Sequence, residues 1–129
     1  MTDRQYEPGD AELEVLTVLW DEGPCTVRQV MQYLHDAGRH VAYTTVLTFL
    51  TRLEQKDLVS SDKASIAYVY RAAVTRNRIR QFRLKALVSQ LYDGEPGPLV
   101  LQLMKTQKFS KEEIAELHKL IKELNAKAE

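Results

Sequence analysis

The segment Tyr43–Lys56 carries the residue types and spacing that point most directly to chemistry. At the ~100° steps of an α-helix, Thr44, Thr45, Thr48, Thr51, Arg52 and Gln55 fall within an arc of about 120°. Tyr43, Val46, Leu47, Phe49, Leu50 and Leu53 fill the opposite side. Threonine is a mediocre helix former, and a merely solvated face favours Glu, Lys and Ala. Something other than helix stability therefore selects short hydroxyl and methyl groups here. Threonine hydroxyls bond base edges or phosphates, threonine methyls pack against the thymine methyl, and arginine reaches guanine or phosphate. The competing reading of the same face is tolerated surface with no partner.

Other reactive residue types form no constellation. His35, His40 and His118 are scattered, with no HxxxH or HExxH spacing. His118 lies on the flank of an apolar stripe and reads as a core-edge histidine. Cys25 follows Gly23-Pro24 and precedes a helix cap, where a helix N-terminus can lower a thiol pKa. No histidine neighbours it in sequence, so it reads as a small buried thiol. No glycine-rich phosphate loop is present. These absences argue against an enzyme, and no metal site or cofactor is expected.

The elements that must position the threonine face belong to a chain of 129 residues, the size of one domain or of a small domain with an appendage. Hydrophobic residues are 44% and charged residues 28%, too apolar for disorder. No apolar run approaches the ~20 residues of a membrane helix, and the polar N-terminus does not resemble a signal peptide. A cytoplasmic protein without membrane insertion is expected. One cysteine excludes an internal disulfide and any multi-cysteine metal cluster. Residues 1–75 hold 7 basic residues against 11 acids, and residues 76–129 hold 11 against 7. A nucleic-acid surface in the first half must therefore be local. From Arg39 to Arg71 the balance turns positive, with Arg39, Arg52, Lys56, Lys63 and Arg71 against Glu54, Asp57 and Asp62.

Leu13, Leu16 and Trp20 give a first helix over Ala11–Asp21, ended by Gly23-Pro24. Thr26 and Gln29 form a capping box for a second helix with the stripe Val27, Val30, Met31 and Leu34, stopped by Gly38. The third helix is the threonine segment. Leu58–Asp62 and Ile66–Arg71 then predict a β-hairpin around Lys63-Ala64-Ser65, with Ile66, Tyr68 and Tyr70 on one side. Thr75 caps a fourth helix running to about Tyr92, whose start carries Arg76, Arg78, Arg80 and Arg83 without an acid. That arginine-rich start argues against close burial. Pro98 opens a short helix, Leu99–Lys105, and Ser110 with Glu113 caps a last one. The fold class is mainly α with a small β-hairpin wing: a winged helix-turn-helix over 1–74 and three helices over 75–129. A helix about 10–12 Å wide fits the major groove of duplex DNA.

The last ~55 residues are too few for an independent core. Helix 99–105 is apolar almost all round and is expected to be buried. An intertwined homodimer answers both points, with Leu87, Leu91, Leu99, Val100, Leu103, Met104, Ile114, Leu117 and Ile121 as its candidate contacts. The alternative is that these helices fold back on the N-terminal half.

Ala11-Glu12-Leu13-Glu14-Val15-Leu16 with Leu19-Trp20, Thr26–Val30, Ala42–Thr48 continuing to Arg52-Leu53-Glu54, Tyr68-Val69-Tyr70 and Leu99-Val100-Leu101 with Ser110–Ile114 together resemble one known family. This is the penicillinase-repressor family, which also contains methicillin-resistance and copper-responsive repressors. The resemblance runs from about Asp10 to Leu124. It implies a homodimeric transcriptional repressor that binds a short inverted-repeat DNA operator. The implied recognition helix is Tyr43–Lys56, with Thr44, Thr45, Thr48 and Arg52 nearest the bases. Thr26 and Arg28 would touch phosphate, and Lys63 in the wing would reach backbone or minor groove.

The family's helix-three exit usually carries Gly, where this chain has Asp57. Its copper branch adds a C-terminal cysteine cluster, which this chain lacks. Its β-lactam branch is switched by proteolysis at an Asn-Phe bond, with a membrane sensor protease as the implied partner. Aligned through Leu99-Val100-Leu101, that position falls at Gln102–Leu103. A winged module that binds protein rather than DNA is the alternative function, and it would show apolar or acidic groups on the third helix.

Overall fold

The structure, a computed structural model, describes residues 7–128. The described residues form six helices and one three-stranded antiparallel sheet, and the chain divides into two compact units, Met1–Lys85 and Ala86–Glu129.

In the first unit, α1 (Asp10–Glu22), α2 (Val27–Asp36) and α3 (Tyr43–Gln55) pack around one core. Periodicity dictates this. Val15, Leu16 and Leu19 from α1, Val27, Val30 and Leu34 from α2, and Val46, Leu50 and Leu53 from α3 are all buried. Gly23 ends α1 at φ +82° and Gly38 follows α2 at φ +87°, both left-handed positions that favour glycine. Asp57 takes the same region, at φ 61°, just past α3. Its N–H donates to the Glu54 carbonyl and that of Leu58 to the Leu53 carbonyl, so the turn expected of Gly forms with Asp.

The sheet corrects the expected hairpin in two ways. First, β2 (Val59–Asp62) pairs with a β3 that spans only Val69–Ala72. Ile66 and Tyr68 lie in the connecting loop and are exposed, and only Tyr70 turns inward. The partner strand stops at Asp62, whose carboxylate accepts the Ala64 N–H, so alternation beyond Val69 has no ladder to join. Second, a third strand, β1 (Cys25–Thr26), pairs with β3 as Cys25 opposite Tyr70 and Thr26 opposite Val69. Two residues are too few to carry a period. This strand ties the start of α2 to the wing. It also buries Cys25, and burial, with Glu22 nearby, pushes its thiol pKa up, so it is a packing residue rather than an activated nucleophile.

Helix α4 (Arg76–Leu91) starts in the first unit, where Ile79 is buried in the core. The arginine-rich start, expected to resist close packing, is held against α1 through two of its arginines, Arg76 and Arg83. Arg76 pairs with Asp21 and lies over the Trp20 ring, and Arg83 pairs with Asp10 and donates to the Pro8 carbonyl. The Trp20 indole N–H donates to the Val74 carbonyl at 2.8 Å, anchoring the segment before α4. The division between the compact units falls inside α4, after Lys85, eleven residues past the 1–74 segment read from the sequence.

The second unit holds the end of α4, α5 (Pro96–Thr106) and α6 (Lys111–Ala128). Helix α5 begins earlier than expected, because both Pro96 and Pro98 fit the first turn, where no intrahelical N–H is required. Its expected burial is not seen in the single chain. Leu99 is buried, but Val100, Leu101, Leu103 and Met104 are exposed. Leu87, Leu91, Ile114 and Ile121 are exposed too, and Leu117 is half-buried. Helix α6 has no buried residue at all. The Ser110–Glu113 capping box forms as expected, and the hydrogen bonds from Ser110 hold the Glu113 carboxyl below its usual pKa. His118 lines a groove between the end of α5 and α6, beside Met104, Ile114 and Leu117.

Candidate nucleic-acid interface

Helix α3 presents the threonine face as its spacing dictates. Thr44, Thr45, Thr48, Thr51, Arg52 and Gln55 are all exposed, while Val46, Leu50 and Leu53 are fully buried behind them. Two residues of the apolar arc depart from expectation. Tyr43, 44% exposed, and Leu47, 36% exposed, sit at its edge and border the polar face.

The hydroxyls are not equivalent. Those of Thr48 and Thr51 donate to the carbonyls of Thr44 and Leu47, four residues back, at 2.9 and 2.8 Å. With their protons engaged, these two residues offer outward acceptor lone pairs and a methyl group. That combination suits an exocyclic amine of adenine or cytosine and the thymine methyl. Thr44 and Thr45 stand in the first turn of α3, where the Thr45 N–H donates to the Ala42 carbonyl at 3.1 Å and no side chain caps the helix.

Two helix N-termini bracket this face. Thr26 caps α2, accepting the Gln29 N–H at 3.2 Å while Gln29 Oε1 accepts the Thr26 N–H at 2.8 Å. Neither α2 nor α3 has an acidic residue in its first turn, so the partial positive charge of both ends is uncompensated there. By contrast, α1 carries Asp10 and Glu12 in its first turn. Arg28, exposed on the first turn of α2, has its guanidinium 5.9 Å from the Tyr43 ring centroid. The contact joins Arg28 and Tyr43, from two helices, into one exposed cation–aromatic pair. Lys63 lies at the start of the wing loop, with its ammonium 5.8 Å from the Tyr68 ring centroid.

Thr26, Arg28, Tyr43, Thr44, Thr45, Thr48, Arg52 and Lys63 all belong to the first unit, and all but Thr26, which is half-buried, are exposed. Tertiary contacts thin the positive surface that the sequence count suggests. Arg39 is drawn to Glu14 at 2.9 Å, and Lys56 to buried Glu12 at 2.6 Å and to the Glu7 carbonyl. Arg52, Lys63 and Arg71 make no ion pair among the described residues. Glu54, the nearest acid on α3, is occupied by the Ser61 hydroxyl at 2.6 Å. Among the described residues, no helix is long and apolar enough to cross a membrane.

The chain is 24% identical over 127 residues to the penicillinase repressor of Staphylococcus aureus, covering 98% of this chain and all of that protein. It is 25% identical over 121 residues to the methicillin resistance regulatory protein MecI of Mammaliicoccus sciuri, covering 94% and 98%. A shorter stretch of 63 residues, 48% of this chain and 45% of the relative, is 46% identical to the transcriptional regulator BlaI of Mycobacterium tuberculosis. Among solved structures, the apo form of wild-type MarR from E. coli aligns with a TM-score of 0.48 at 18% identity, covering 95% of this chain and 87% of that one. The sequence profile described as penicillinase repressor matches residues 8–123, so the chain belongs to the penicillinase repressor family, whose members are transcription regulators rather than enzymes.

Proposed function

We propose that the protein is a homodimeric, sequence-specific DNA-binding repressor of the cytoplasm. Residues 1–74 read an inverted-repeat operator and residues 75–129 dimerise. The observation that carries this reading is the acid-free, exposed threonine–arginine face of α3, flanked by two helix N-termini without acidic residues. A face built to bind protein would carry apolar or acidic groups instead. In this reading Thr44, Thr45, Thr48 and Arg52 lie nearest the bases, Tyr43 and Arg28 line the groove edge, Thr26 meets a phosphate, and Lys63 follows the backbone from the wing. Two copies related by a two-fold axis would place two α3 helices in successive major grooves.

The test is operator binding by fluorescence anisotropy, with genomic fragments selected by the purified protein, across a salt series. Six to ten phosphate contacts would lower affinity about 10³–10⁵-fold between 50 and 200 mM salt. Arg52→Ala is expected to cost about 1–3 kcal/mol and to relax preference at one operator position. Salt-independent binding, or an Arg52→Ala variant with unchanged affinity and selectivity, would remove DNA readout from this face.

Release from DNA is proposed to follow a cut at Gln102–Leu103 by a membrane sensor protease. Both residues are exposed in mid-helix, and the Gln102 carbonyl oxygen of the side chain accepts the Tyr92 hydroxyl. Local opening of α5 would present the bond in the extended form a protease needs. The check is to expose the host to a cell-wall antibiotic and follow the protein's mass. An intact chain that nevertheless leaves its operator rules this switch out.

A further inference from the structure

The turn between α2 and α3 brings together two residues that the interface does not use. His35, in the last turn of α2, and His40, three residues before α3, place their Nδ1 atoms 2.7 Å apart. Their rings meet edge to face, with centroids 4.1 Å apart. At that separation one Nδ1 carries a proton and the other accepts it, so the two nitrogens already stand at ligand-to-ligand distance and only the shared proton lies between them. Both rings are exposed, and they line a pocket of about 320 Å³ with Met31, Gln32, Val41 and Ala42.

We propose that His35 and His40 form a two-histidine site for a late first-row divalent metal ion. The nitrogen separation fits a particular geometry. Two imidazole nitrogens about 2.0–2.1 Å from one ion and at right angles stand about 2.9 Å apart, whereas tetrahedral ligands stand about 3.3–3.4 Å apart. The observed pair is within about 0.2 Å of the cis arrangement found around tetragonal Cu²⁺ and Ni²⁺. On binding, the Nδ1 proton of the donor ring moves through solvent to its own Nε2. Both rings then ligate as neutral imidazoles.

The neighbouring charges leave the site open to a cation. The Arg39 guanidinium is held away by Glu14, and the Asp36 carboxylate accepts a hydrogen bond from the Gln32 amide. Among the described residues no third His, Cys, Asp or Glu joins the pair, so the remaining coordination positions belong to water. The bound ion would clamp the end of α2 to the residues that lead into α3. Its existence does not depend on the DNA-binding reading.

The test uses the full chain, titrated with Ni²⁺ and Cu²⁺ by calorimetry and, for Cu²⁺, by electron paramagnetic resonance. One ion per chain is expected, with splitting from two equivalent nitrogens and a higher unfolding temperature when metal is present. Loss of an outer-shell partner alone lowers metal affinity about 10–100-fold, so His35→Gln and His40→Gln should each lose at least that. Both positions are exposed, so the variants should keep the parent's circular dichroism. His118→Gln should bind as the parent does. Absence of binding at millimolar metal, or parent-like affinity in the His35→Gln and His40→Gln variants, would overturn the proposal. Chelator-treated protein that still binds its operator would leave the DNA reading intact in either case.

Discussion

Truncation after Gly94 is expected to give a folded monomer that binds its operator about 10²–10⁴-fold more weakly than the full chain. The magnitude follows from multivalency. In the proposed dimer, joining two half-site readers makes the second binding event intramolecular, and separating them removes that gain without touching any DNA contact. The first unit keeps its own core when the C-terminal helices go, because Leu16, Val30, Leu50 and Ile79 pack within Met1–Lys85. What is lost is the apolar surface of α5 and α6. Val100, Leu101, Leu103, Met104, Ile114 and Ile121 are each at least 43% exposed in the single chain, a concentration of apolar side chains that isolated monomers rarely leave in water. Sedimentation of the truncated and full-length chains, with anisotropy on the same operator, decides the matter. A truncated protein that sediments as a dimer would move the interface elsewhere.

Leu50→Ala is expected to destabilise the first unit by about 2–5 kcal/mol, the range for removing a fully buried leucine from a packed core. Leu50 is 0% exposed, on the side of α3 opposite the threonine face, within the cluster that includes Leu16, Val30, Val46 and Leu53. A unit of this size has about 4–13 kcal/mol in all, at ~0.05–0.15 kcal/mol per residue, so the loss is a large part of its stability. Operator affinity should fall with it, because α3 is held against the other two helices by this side chain and its neighbours. Urea unfolding of parent and variant measures the change through the midpoint at constant slope. A loss below about 1 kcal/mol would mean that the core relaxes into the space and that Leu50 does not position the helix.

Much of the polar face of α3 was legible in the sequence. The threonine arc and its apolar counterpart follow from a 3.6-residue period, and the burial of Val46, Leu50 and Leu53 behind an exposed Thr44, Thr45, Thr48 and Arg52 reproduces it. The Thr26–Gln29 and Ser110–Glu113 capping boxes and the left-handed turn at Asp57 were readable for the same reason. Each is a contact between residues at most five positions apart, where sequence spacing and spatial distance are nearly the same thing. The edges of the arc, Tyr43 and Leu47, were less legible. Periodicity gives a direction around the helix axis but not how far the neighbouring element extends to cover it.

The wing shows where local propensity stops. Ile66, Tyr68 and Tyr70 have the alternation of a strand, yet pairing begins only at Val69, because a strand needs a partner and β2 ends at Asp62. The two-residue β1 was invisible for the converse reason. Its identity lies wholly in the pairing of Cys25 and Thr26 with Tyr70 and Val69, some 45 positions away.

The sequence by itself determined the helices, their caps, the polar face of α3 and the membership of the chain in its family. Tertiary structure alone decided which charges remain available to a partner. Arg39 and Lys56 look like part of a basic surface until Glu14 and Glu12 of α1, 25 and 44 positions away, take them. It alone decided that the arginine-rich start of α4 packs on α1. The physical reason is common to both. Hydrophobic and capping patterns act through neighbours along the chain, whereas a charge is defined by whatever the fold brings within about 3 Å of it.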